Sequence, residues 1–113
     1  MGINTIAPAA TLDVNGDFTL GVNGTVLTEA IKAAVVVDVT SVPANGAVTQ
    51  NFAVPNAAVG SSVMVSPSGA LTNGLVLGYA RVSAANTVEV KFTNTTGAAI
   101  DPASLTYYIT VIR

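Results

Sequence analysis

Residues 87–93 read TVEVKFT, and strict alternation of this kind leaves little choice of fold. Val88, Val90 and Phe92 fall on one side of an extended chain, while Thr87, Glu89, Lys91 and Thr93 fall on the other. A period of two with one apolar side is the pattern of a half-buried antiparallel strand. Five further runs have the same β-branched and aromatic character: VVVDVT (35–40), AVTQNFAV (47–54), SSVMVS (61–66), LVLGYARV (75–82) and LTYYITVI (105–112). The connectors between them are rich in Gly, Pro, Asn and Ser, and Pro43, Pro55, Pro67 and Pro102 are all expected there. Short strands at this spacing predict an all-β fold, a small antiparallel β-sandwich of jelly-roll-like form, rather than βαβ units.

Two of the runs have a distinctive makeup. LTYYITVI is apolar on both sides, with Leu105, Tyr107, Ile109 and Val111 on one, so it belongs at the centre of a sheet or against a neighbouring subunit. LVLGYARV has Gly78 in its middle, which predicts a bulge or a close backbone approach. One stretch, TVLTEAIKAA (25–34), has Val26, Ala30 and Ala33 at helical spacing and predicts one or two helical turns, with a strand over 25–28 as the alternative.

The opening third is a different kind of sequence. In TLDVNGDFTLGVNG (11–24), two Asn-Gly pairs interrupt alternating apolar residues. Asn-Gly is the strongest short-range hairpin signal. A three-residue loop at 15–17 would pair Val14 with Phe18 and Leu12 with Leu20, and a tight turn at Asn23-Gly24 would pair Val22 with Thr25 and Leu20 with Leu27. The resulting ribbon carries Leu12, Val14, Phe18, Leu20, Val22 and Leu27 on one side. Burying all six is worth on the order of 9–18 kcal/mol before ordering entropy. A two- or three-stranded ribbon has nowhere to bury them by itself. We therefore expect residues 1–33 to be an attachment or oligomerisation segment and 34–113 to be the sandwich domain. The alternative is that residues 1–33 supply the first strands of the same sandwich.

Composition narrows the function. Only 9% of the 113 residues are charged, against about 25% in an ordinary soluble domain, and the net charge is −2. A folded monomer of this mass exposes about 5,700 Å², so the remaining surface must be Thr, Ser, Asn, Gly and Ala or be covered by other subunits. The chain has no Cys, His or Trp. That removes disulfides, the commonest general base and metal ligand, and the best surface for stacking a sugar. No enzymatic function, cofactor or metal is expected. Asp13, Asn15 and Asp17 offer oxygen atoms for a cation, but in DVNGD they are foremost turn formers. Without basic clusters, nucleic acid is not an expected partner. The longest purely apolar run (33–37) is far short of a bilayer span, and no signal-peptide pattern opens the chain, so membrane insertion is not expected either. Asn94-Thr95-Thr96 matches the N-glycosylation pattern, here read as chance. Of the tyrosines, Tyr79 and Tyr107 are expected in the core or an interface, and Tyr108 on the surface as a possible contact.

The blocks VPNAAVGSSVMVSP (54–67) and GYARVSAANTVEVKFTNTTGAAIDP (78–102), with the terminal ITVIR (109–113), resemble a recurrent module of bacteriophage structural proteins. The likeness covers residues 47–113. GINTIAPAATLDVNG (2–16) is similar to motifs in surface and fibre proteins of phages and bacteria. The resemblance implies a compact β-sandwich, commonly a homotrimer, held on the virion exterior by its N-terminal segment. Its partners would be other virion proteins such as a major capsid or tail protein. It transfers no catalytic residue and leaves open whether the part is a capsid decoration, a head fibre or a tail fibre. The rival expectation is a carbohydrate- or receptor-binding module of a tail fibre or cell-surface adhesin, meeting a host surface glycan through Tyr108 and the loop 94–102.

Overall fold

The computed structural model describes all 113 residues and is all-β. Two short strands, β1 (Gly2–Ile3) and β2 (Asp13–Val14), lie in the N-terminal segment; six longer ones follow, β3 (Ala30–Val37), β4 (Ala47–Ala53), β5 (Ser62–Pro67), β6 (Leu75–Ala84), β7 (Thr87–Asn94) and β8 (Leu105–Ile112). The six form two three-stranded antiparallel sheets, ordered β3-β8-β5 and β4-β7-β6. This is the small sandwich that the alternating runs imply. β8 is central in its sheet, with Tyr107, Ile109 and Val111 buried on its inner side and Tyr108 exposed on its outer side.

The sheets face each other through the residues that alternation selects. Val88, Val90 and Phe92 of β7 meet Tyr107, Ile109 and Val111 of β8 in a single buried cluster with Phe52, Val54 and Val82. Tyr107 is its hub: the Phe52 ring lies 5.2 Å away, centroid to centroid, and the Phe92 ring 5.9 Å away nearly edge-on. Both separations fall in the favourable range for aromatic pairs. The Tyr107 hydroxyl, however, is buried and meets no hydrogen-bond partner in the protein. Burial also raises its pKa above the ordinary tyrosine value. An unpaired buried hydroxyl costs roughly 1–3 kcal/mol, so Tyr107→Phe is expected to be neutral or stabilising by up to about 1 kcal/mol in urea denaturation.

Three local expectations change. No helix forms over 25–34: β3 begins at Ala30 and runs beside β8, with Ile31 opposite Val111 and Val35 opposite Tyr107. One or two helical turns are marginal by themselves, whereas this strand turns Ile31, Ala33, Val35 and Val37 onto the core. Residues 30–33 therefore belong to the sandwich. Pro67 closes β5 instead of lying in a connector; β5 is an edge strand, where a missing N–H breaks no ladder. Tyr79 is 43% exposed and does not join the core. The register shifts between Leu77 and Tyr79, so Gly78 is the extra residue of a bulge, and the bulge turns Tyr79 outward opposite Lys91.

Turn chemistry fixes the connectors. All four non-glycine residues with positive φ are asparagines: Asn4, Asn45, Asn56 and Asn86. Asparagine is among the few side chains that tolerate this region. Asn86, at the β6–β7 hairpin, also accepts from the Asn56 N–H through its side chain and donates its own N–H to the Ala57 carbonyl. The hairpin tip thereby pins the connector ahead of β5.

Candidate interaction surface

The hydrogen bonds of the N-terminal segment, residues 1–27, are all made among its own residues. β1 and β2 pair in parallel, Gly2 opposite Asp13 and Ile3 opposite Val14, across a nine-residue loop. Backbone bonds from Asp13 to Met1 and from Asn15 to Ile3 close that loop. The Asp13 carboxylate accepts the Ala9 N–H at 2.8 Å, and the Asn15 side chain donates to the Asn4 carbonyl. Asp13 and Asn15 thus serve as turn-binding groups.

Neither expected hairpin register is present. Val14 pairs with Ile3 and not with Phe18, because Asn15 is already committed to Ile3 and Asn4. Phe18 instead bridges Leu27 in antiparallel fashion, displacing both the Leu12–Leu20 and Leu20–Leu27 pairings. The turn inside this wider loop is set by Gly21, whose φ is +85°, and Gly24 donates back to the Gly21 carbonyl. Asn23 is not in the left-handed region, so no type I′ turn forms at 23–24. Hydrophobic patterning fixes a register only where one side is buried, and here no buried side exists.

The six apolar residues are consequently not gathered into one face. Val22 and Leu20 are almost wholly exposed (102% and 84%), Leu12 and Phe18 are exposed, and Val14 and Leu27 are half-buried. Leu12, Val14 and Phe18 share a hollow of about 390 Å³ with Thr28, Glu29 and Ala30 at the root of the segment. No hydrogen bond joins residues 1–27 to residues 28–113. The molecule is accordingly long, 56 × 27 × 23 Å, with a radius of gyration of 17.3 Å. A compact chain of this length would have about 13 Å. Its accessible surface of 6865 Å² is about 1,100 Å² above the value for a compact monomer.

The outward sides of the two sheets differ in charge. On β4-β7-β6, Glu89 accepts from Arg81 at 2.8 Å and from the Tyr79 hydroxyl at 3.0 Å, and Lys91 lies 5.7 Å from the Tyr79 ring centroid. The bond from Arg81, and then that from Tyr79, hold the Glu89 carboxyl below its usual range. On β3-β8-β5, Lys32 is the one charged outward residue, and it forms no ion pair. Val36, Met64 and Tyr108 are exposed there, and Lys32, Met64, Ser66, Tyr108 and Thr110 line a hollow of about 450 Å³. Tyr108 is therefore on the surface, on the less charged of the two sheet faces. Sequence reading did not mark this face. Met64 and Val36 belong to strands whose core sides looked equally apolar, and the pairing with β8 is what sorts them outward.

The loop 94–102 is held from within. Asn94 is buried; its side-chain amide donates to the carbonyls of Val42 and Ala98, and its oxygen accepts from the Thr96 N–H and hydroxyl. Thr95 donates its hydroxyl to the Gly74 carbonyl. In the folded chain the sequon asparagine is inaccessible to a glycosylating enzyme. Asn94→Ala strips a partner from four groups at once, and it is expected to cost about 2–4 kcal/mol in chemical denaturation.

Among the charged side chains, no three of His, Cys, Asp and Glu gather to hold a metal ion, and no helix is long and apolar enough to cross a membrane. No protein-family model, curated protein or solved structure matches this chain.

Proposed function

We propose that this chain is a non-enzymatic structural protein of a bacteriophage particle, a homotrimeric capsid-decoration or head-fibre protein held on the virion exterior through its N-terminal segment. One observation carries the reading: residues 1–27 expose Leu12, Phe18, Leu20 and Val22 and form no hydrogen bond with the sandwich. A segment so greasy and so detached is completed by other molecules, copies of this chain or a major capsid or tail protein. The resemblance of residues 47–113 to a phage structural module supplies the setting, and the sparsely charged surface suits close subunit packing.

Light scattering on the purified chain should return three times the chain mass, and antibody-labelled electron microscopy should place the chain on phage particles. A monomer at every concentration would remove the trimer, and unlabelled particles would remove the virion role.

A second reading, recognition of a host glycan, draws on Tyr108, whose exposed ring stands beside Ser66, Thr110 and Lys32. A glycan array with reproducible hits that Tyr108→Ala abolishes would favour it.

A further inference from the structure

We infer that the outward face of β3-β8-β5 is the seat for residues 11–27 of a second copy of this chain. The inference rests on the oligomeric reading above and adds which surfaces meet. The face offers exposed Val36, Met64 and Tyr108 around a hollow of about 450 Å³, with the single unpaired cation Lys32 at its rim. The segment offers exposed Leu12, Phe18, Leu20 and Val22 together with Asp17, whose carboxylate has neither an ion pair nor a hydrogen bond, whereas that of Asp13 is held by the Ala9 N–H. Apolar surface meets apolar surface, and one free carboxylate answers one free ammonium group.

The alternatives fit less well. The segment meets its own sandwich only at the root, in the hollow that Leu12, Val14 and Phe18 share with Thr28, Glu29 and Ala30; the molecule is 56 Å long, and no hydrogen bond brings residues 1–27 back to the sheets. The opposite face would force Arg81, Glu89 and Lys91 out of water, a desolvation penalty that apolar contact does not offset. The size also agrees. The surface in excess of a compact monomer, about 1,100 Å², is of the order of the ~800 Å² that each partner contributes to a standard interface.

Absence of cysteine makes the test clean. Leu20→Cys and Met64→Cys, each at an exposed position, are made as separate full-length proteins, mixed, and oxidised. A disulfide-linked Leu20→Cys/Met64→Cys species is expected, and none with Tyr79→Cys, which lies on the other face, as the partner. In parallel, Lys32→Glu should weaken self-association roughly tenfold, and adding Asp17→Lys should restore it.

Trimers that form without the mixed disulfide and ignore Lys32→Glu would overturn this seat while leaving the oligomeric reading standing. In that case the segment is held elsewhere, including by another particle protein. Monomers throughout would overturn both.

Discussion

Deleting residues 1–27 should leave the sandwich folded and abolish self-association. Every buried core residue lies between Val39 and Val111, so the truncated chain keeps its whole core. The bond from the Thr28 N–H to the Arg113 carbonyl and the Glu29–Arg113 ion pair at 3.0 Å are also retained at the new terminus. Circular dichroism should therefore give an unchanged β spectrum and a melting temperature within a few degrees of the full chain. Light scattering should report a single chain for the truncated protein and, on the proposed trimer, three for the full-length one. The backbone points the same way: a domain of this length makes about 75–80 backbone–backbone hydrogen bonds, and this chain makes 48. Part of that shortfall lies in a segment with few internal partners. A truncated chain that still trimerises would show that the sandwich faces alone drive assembly.

The second large effect is in the core. Phe92→Ala removes a ring that is wholly buried and packs edge-on against Tyr107. Large-to-small changes of this kind cost about 3–5 kcal/mol, against a total stability of only about 5–15 kcal/mol for a domain. In a sandwich of this size the melting temperature should fall by roughly 15–30 °C. With no tryptophan in the chain, tyrosine fluorescence or far-ultraviolet circular dichroism is the readout. A loss below 1 kcal/mol would mean that the two sheets are not held by this aromatic cluster. The contrast with Tyr107→Phe, expected to be harmless on the same ring stack, separates packing from hydrogen bonding.

How much of this was legible in the sequence follows from where side chains are buried. TVEVKFT and LTYYITVI were read correctly to within a residue because each packs one side on the opposite sheet, and burial enforces the alternation. Gly78 was legible as a bulge for a related reason, since a glycine inside an apolar strand has no side chain to pack. β3 was misread in part. AIKA carries no strong strand formers except Ile31, and only its pairing with β8, more than seventy residues away, makes it extended. The ribbon failed for the opposite reason: Asn15 and Asn23 signal turns truthfully, but no buried face selects which residues pair across them. The six apolar residues were legible as a group without a home. The receiving face on β3-β8-β5 was not, because it is assembled from three strands distant in sequence.

The position of β8 also decides when this chain can fold. It is the last strand of the sequence, yet it supplies the hydrogen-bonding partner for both β3 and β5, which do not touch each other in the sheet. Only β6 and β7 form a local hairpin. A chain leaving the ribosome at about 5–20 residues per second therefore carries β3 with unsatisfied edges for several seconds before its partner is made. Such non-local pairing also slows closure, placing the domain among those that fold in milliseconds to seconds. Nascent chains in a crowded polysome would hold matching unpaired strands side by side, which exposes this protein to strand exchange between neighbours during synthesis.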